Sequence, residues 1–231
     1  MHFSTIVFPG SNCDKDCEDA VLNYLQQDHS FIWHKDTKLP DTDCVILPGG
    51  FSYGDYLRAG AIAKTSPIMQ EVKKFAKNGG LVLGICNGFQ VLTEIGLLPG
   101  TLMQNKSLKF ICKEVYLKVK NDKTAFTNSF YNDEIIDMPI AHMEGNYYID
   151  HNGYNQLKEN NQIILEYCDE KGNQEENANP NGSVYNIAGI CNKAKNVLGL
   201  MPHPERNVDI LLGSNTGLKL FESIEKHINK K

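Results

Sequence analysis

The sequence predicts an α/β fold: one open, mostly parallel sheet with helices on both faces, extended along one side by antiparallel strands. Three observations predict it. Short apolar runs alternate with amphipathic helical segments through the first hundred residues, the pattern of right-handed βαβ units. The runs Cys44–Leu47 and Leu81–Ile85 are apolar throughout, as strands covered on both faces must be. The middle of the chain then turns to strand-like runs with few helices between them, which is how an antiparallel extension reads.

Residues 3–8 are β-rich and stop at Pro9-Gly10-Ser11-Asn12, after which Ala20, Val21, Tyr24 and Leu25 recur at helical spacing to about Gln27. Residues 31–34 make a short strand. Pro48-Gly49-Gly50 ends the run at Leu47, and a loop rich in glycine and aromatic residues follows over residues 51–60. Residues 67–77 predict an amphipathic helix with Ile68, Val72, Phe75 and Ala76 inward, closed by Asn78-Gly79-Gly80. After the strand ending at Ile85, Val91, Leu92 and Ile95 mark another helix. Residues 110–119, Ile135–His142 and Ile163–Cys168 are the expected extension strands. Residues 169–182, dominated by Glu, Asn, Gln and Gly, read as a mobile loop. Ile187–Cys191 and residues 197–201 are two last strands, and residues 216–228 a closing helix. No break in composition divides the chain, so residues 1–231 are expected to form one domain.

A formal net charge of −5 gives neither nucleic acid nor an anionic membrane a favourable field, so a small-molecule ligand is expected. No apolar run approaches the roughly 18 residues of a membrane span, and no signal-peptide plan precedes the first strand, so a cytoplasmic protein is expected. Seven cysteines at 13, 17, 44, 86, 112, 168 and 191 form an odd, scattered set, which predicts reduced thiols. Cys13-x3-Cys17 has no second Cys/His pair at ligand spacing, so both are expected to be structural, and no metal site is expected.

Gly84-Ile85-Cys86-Asn87-Gly88 lies where a strand hands over to a helix, the plan of a nucleophile elbow with sulfur in place of oxygen. Small residues at 84 and 88 permit the sharp turn, and the helix N-terminus favours a thiolate and offers free amides to an oxyanion. A buried structural cysteine is the competing reading of this pentapeptide. A nucleophilic cysteine needs a base and the base an orienting group. Met201-Pro202-His203-Pro204-Glu205 supplies both at the end of another strand: His203 on the same sheet edge as Cys86, and Glu205 placed to curl back onto the imidazole. Gly50, in Pro48-Gly49-Gly50-Phe51, is positioned to pair its N–H with that of Asn87 as an oxyanion hole, though a plain tight turn reads equally well there. His142 follows a strand and is expected to line the pocket. The segment Gly60-Ala61-Ile62-Ala63-Lys64-Thr65 lacks the glycine a P-loop needs before its lysine, so no ATP site is expected in this chain.

Taken together, Gly84-Ile85-Cys86-Asn87-Gly88-Phe89-Gln90 and Pro202-His203-Pro204-Glu205-Arg206 resemble the class I, triad-type glutamine amidotransferases, whose glutaminase domains are flavodoxin-like, three-layer αβα structures. Ser52-Tyr53-Gly54-Asp55-Tyr56-Leu57-Arg58 and Asn179-Pro180-Asn181-Gly182-Ser183 resemble the glutaminase components of phosphoribosylformylglycinamidine synthases in particular. The resemblance implies Cys86 as nucleophile, His203 as general base and acid, and Glu205 as its orienter. It further implies Gly50, Phe51 and Asn87 at the oxyanion and substrate pocket, and Gln90 and the stretch from His142 onward in contact with glutamine. Met143 departs from the family pattern, which has a small glycine there. By the same resemblance no cofactor belongs to this chain: ATP and magnesium belong to a large synthetase partner, joined in the separate-subunit form by a small third subunit. Another cysteine hydrolase on the same scaffold, or a catalytically silent docking subunit, are the competing readings.

Overall fold

In a computed structural model of the chain, which describes residues 1–230, eleven strands and five α-helices alternate in the expected way. The strands are β1 (His2–Val7), β2 (Asp28–Trp33), β3 (Cys44–Leu47), β4 (Leu81–Ile85), β5 (Thr101–Met103), β6 (Ile111–Val119), β7 (Ile135–His142), β8 (Asn146–Tyr148), β9 (Ile163–Cys168), β10 (Ile187–Cys191) and β11 (Val197–Leu200). The helices are α1 (Asp14–Asp19), α2 (Ile68–Lys77), α3 (Asn87–Glu94), α4 (His151–Glu159) and α5 (Leu218–Ile228).

Nine strands form one sheet in the order β2-β1-β3-β4-β11-β10-β9-β6-β7. The pairs from β2 to β11 are parallel, and every pair from β11 onward is antiparallel, so the sheet is the predicted parallel body with its antiparallel extension. Every residue of β3, β4, β9, β10 and β11 is buried. Both faces of the sheet are therefore covered, as a layered α/β fold requires. A single apolar cluster runs from Phe3 and Ile6 through Val45, Ile46, Leu83 and Phe89 to Leu198, Phe221 and Ile224.

Several details depart from the sequence reading. The first helix does not run on regularly: it passes at Ala20–Tyr24 into a π segment. In α2, Met69 is buried beside Ile68, Val72 and Ala76, while Phe75 is only partly buried and covers Gly80, where a Cβ would strike its ring. No sequence pattern announces α4 or the two-stranded sheet of β5 and β8. The first is poor in apolar residues and holds Gly153, whose N–H is capped by Asp150 Oδ1 at 2.7 Å. The strands β5 and β8 are three residues each, too short to show a period. Residues 169–182, expected to be a mobile loop, end in an anchored turn: Asn181 is fully buried, and its Nδ2 donates to the Gly145 carbonyl at 2.8 Å.

Candidate active site

Four neighbouring parallel strands, β1, β3, β4 and β11, deliver their carboxyl ends to one edge of the sheet, where ligands of such sheets bind. At the end of β4, Cys86 has φ 50° and ψ −103°, a conformation an L-residue adopts only where the surroundings dictate it. The surroundings are the two glycines. A Cβ at Gly88 would run into the carbonyl of Leu47, and one at Gly84 would come within 2.8 Å of the Gly88 carbonyl. Helix α3 thus sits hard against β3 and β4, with Cys86 at its N-cap.

His203 follows β11 and is held from both sides. Its N–H donates to the Pro139 carbonyl at 2.9 Å, and its Nδ1 lies 2.6 Å from Glu205 Oε1 within the 3₁₀ turn Pro204–Arg206. Because a carboxylate only accepts, Nδ1 carries the proton in this pair and Nε2 is the free nitrogen. Burial opposes a charge on His203, but the Glu205 carboxylate and then Cys86 outweigh it, holding the imidazole well above its usual pKa. Cys86 thus lies beside the ring; its Sγ faces the Ala141 carbonyl at 3.7 Å, and among the described residues Nε2 has no partner of hydrogen-bond geometry. The structure brings Cys86, His203 and Glu205 together, all three buried.

The remaining predicted site residues gather around them. Gly50, at φ 130°, bridges Ser11, and a Cβ there would lie 2.7 Å from the Asn12 N atom, so the turn after β3 interlocks with the turn after β1. Among the described residues, neither the Gly50 nor the Asn87 backbone N–H has a protein acceptor. Phe51 differs: its N–H donates to the Gly10 carbonyl at 3.0 Å, so what it offers is its half-exposed ring, tilted against Phe110. The side chain of Asn87 accepts from Ser52 N–H at 3.2 Å and donates to Gln90 Oε1 at 2.8 Å and Asp55 Oδ1 at 3.2 Å. Gln90 passes the chain on, donating to the Glu144 carbonyl at 2.6 Å. His142 is buried, its Nδ1 paired with Asn105 Oδ1 at 3.1 Å; burial and then the nearby His203 push its pKa down to about 4. Met143 leaves its side chain partly exposed, and its carbonyl accepts from Asn105 N–H at 2.8 Å.

Three contributors were missed in the sequence. Asn105 donates to the His142 carbonyl at 2.9 Å and accepts from Gly145 N–H at 3.0 Å, fastening the segment after β7; a lone asparagine between strands carries no signal of this. Asp55 was read only as part of a motif. Burial, and next the field of the Glu144 carboxylate, push its pKa up to about 6, while the Asn87 side chain donates to it. Cys13, read as structural, lies with Sγ, a ring nitrogen of His203 and a carboxylate oxygen of Glu205 all within 4.8 Å of one another. The Arg206 guanidinium donates to that sulfur at 3.1 Å.

A thiol at a strained turn thus stands beside a buried imidazole–carboxylate pair, and comparison with known proteins gives the family. Residues 2–224 match the family described as the CobB/CobQ-like glutamine amidotransferase domain. A phosphoribosylformylglycinamidine synthase subunit PurQ of Salinibacter ruber is 54% identical over 227 residues, covering 98% of this chain and 97% of that protein. The PurQ of Moorella thermoacetica is 56% identical over 224 residues, covering 97% of this chain and 95% of its own length. The chain belongs to the CobB/CobQ-like glutamine amidotransferases, in their PurQ group. A PurQ-type chain should superpose on a solved relative over its full length, and it does. A chain of the PurLQS structure from Thermotoga maritima matches with a TM-score of 0.87 at 45% identity, covering 98% of both chains. The fold of this glutamine amidotransferase is therefore the family's α/β fold. No helix among the described residues is long and apolar enough to cross a membrane.

Proposed function

We propose that this chain hydrolyses glutamine at Cys86 and hands the ammonia to the synthetase component of phosphoribosylformylglycinamidine synthase. The observation that carries the reading is the elbow at Cys86, φ 50°, set beside a His203–Glu205 pair whose free nitrogen is Nε2. In this reading Nε2 of His203 takes the Cys86 proton, and the thiolate attacks the γ-carbonyl of glutamine. The oxyanion is met by the N–H groups of Gly50 and Asn87. The tetrahedral intermediate collapses as His203 returns the proton to nitrogen, releasing ammonia and leaving a γ-glutamyl thioester. Water, activated by the same imidazole, then cleaves the thioester to glutamate and restores the thiol.

The carboxylates of Asp55 and Glu144 suit the α-ammonium of the substrate. The Asp55 carboxylate accepts from the Asn87 side chain and the Glu144 carboxylate from Ala59 N–H, while Gln90 donates to the Glu144 backbone carbonyl. The likeness to the PurLQS chain supports a complex with a large synthetase subunit and a small third subunit. In that complex ATP and magnesium belong to the synthetase, which converts formylglycinamide ribonucleotide to the amidine, and this chain needs no cofactor. Seven unpaired thiols fit a reducing, cytoplasmic setting.

Glutamate release from glutamine tests the proposal, measured with the purified chain alone and with the synthetase and small subunit added. The wild type is expected to be stimulated by its partners, and Cys86→Ala to release none. A Cys86→Ala protein of near-wild-type rate would sink the assignment.

A further inference from the structure

We infer that Cys13, His203 and Glu205 form a site for one divalent transition-metal ion of the zinc class, and that filling it withdraws the imidazole from Cys86 and silences glutamine hydrolysis. The silencing rests on the glutaminase reading above; the binding does not.

The donor set is a buried thiol, imidazole and carboxylate whose ligand atoms lie within 4.8 Å of one another. A tetrahedral zinc ion, with bonds of about 2.0–2.3 Å, holds its ligand atoms roughly 3.3–3.8 Å apart, so closing the site asks for side-chain shifts of about 1 Å. Three protein donors of these types with the fourth position open suit zinc, whereas magnesium and calcium take oxygen donors.

Two further features point to a ligand. Glu205 binds His203 through Oε1 only, and its Oε2 is buried with no partner among the described residues. A carboxylate oxygen left unmatched in the interior is costly, and a metal ion would satisfy it. Gly49 supplies the space: a Cβ there would lie 3.0 Å from Cys13 Sγ and 2.7 Å from Cε1 of His203, filling the gap between thiol and ring.

The charges also balance. On binding, Cys13 gives up its proton and the His203 ring loses the proton on the nitrogen the metal takes, so a neutral imidazole joins a thiolate and a carboxylate that together neutralise the two positive charges of the ion. Arg206, at 3.1 Å from that sulfur, supports the thiolate and is itself balanced by Asp16 at 2.8 Å. Cys17, the other half of the Cys13-x3-Cys17 pair, takes no part. Whichever ring nitrogen the metal takes, the site is disabled: Nδ1 is needed by Glu205 and Nε2 by Cys86.

Cobalt titration of the purified chain, followed by the thiolate-to-cobalt charge-transfer band in the near ultraviolet, tests the binding, and zinc displacement of that band gives the zinc affinity. The wild type and Cys86→Ala are expected to take up one equivalent of cobalt with the same band. Cys13→Ser and Cys13→Ala, shown folded by circular dichroism, are expected to lose the band. They should bind zinc more weakly by at least the roughly 10–100-fold that loss of an outer-shell partner alone costs. In the glutaminase assay zinc should inhibit the wild type, while the activity that Cys13→Ser retains, whatever its level, should resist it. A band that survives in Cys13→Ser, a band lost in Cys86→Ala, or no stoichiometric uptake by the wild type would each overturn the site. Stoichiometric binding with undiminished hydrolysis would overturn the silencing. A metal-free wild type that releases no glutamate with its partners present would instead sink the glutaminase reading, with the cobalt band still deciding the metal site.

Discussion

Glu205 Oε1 lies 2.6 Å from Nδ1 of His203, and the two residues share one short turn opened by Pro204. The pairing fixes the tautomer of the ring and stabilises the imidazolium that proton transfer creates. Glu205→Gln keeps the shape and removes the charge, so the imidazole should lose much of its basicity. Glutamate release with the partner subunits present is expected to fall roughly 10²–10⁴-fold, the usual worth of positioned proton transfer, with little change in melting temperature. A rate within a factor of a few of wild type would exclude Glu205 as orienter.

Gly88 tests the elbow. A Cβ at this position meets the Leu47 carbonyl, backbone of a central strand that cannot step aside. Gly88→Ala should cost about 1–3 kcal/mol or more of stability by overpacking, seen as a lower calorimetric melting temperature, and should misplace Cys86 enough to abolish glutaminase activity. A melting temperature equal to wild type would show that α3 can move away from β3.

Asn105 should be a positioning residue, since it joins the His142 carbonyl, His142 Nδ1 and Gly145 N–H. Asn105→Ala leaves several buried groups unpaired, each at roughly 1–3 kcal/mol before relaxation. Thermal unfolding should fall clearly, and because the loosened segment adjoins Gln90 through Glu144, the KM for glutamine should rise more than kcat falls. A fall in kcat at unchanged KM would assign it a different part.

Asp55 gives a pH-dependent prediction. Its folded pKa of about 6 is raised above the ordinary value of 3.8, so its contribution to stability is full below the unfolded value and is lost as pH rises through about 6. Asp55→Asn removes that loss. The variant should melt higher than wild type at pH 7 to 8, the gain shrinking as pH falls from 6 toward 4, while KM for glutamine rises through loss of a partner for the α-ammonium. The same gain at pH 4 as at pH 8 would show that ionisation of Asp55 is not its source.

Much of the strand framework was legible because buried strands in this fold are written as unbroken apolar runs: Cys44–Leu47, Leu81–Ile85, Ile163–Cys168 and Ile187–Cys191 stand where the sequence placed them. Elements whose stability comes from partners rather than pattern were not legible. The polar helix α4 depends on its Asp150 cap, and β5 and β8 exist only through each other.

The sequence by itself determined the parallel body, the strand-to-helix turn at Cys86, the pairing of His203 with Glu205 two residues away, and the family, because each is a local pattern of residue types. Only the tertiary structure decided what meets across long separations. β7 is the last strand in the sheet order, yet its Pro139 carbonyl holds His203 N–H and its Ala141 carbonyl faces the Cys86 thiol. Cys13 comes from the first turn of the chain to the His203 ring, and Asp55 lies in the field of Glu144 while accepting from Asn87. The packing of whole elements sets such contacts, and no period or motif along the chain encodes them.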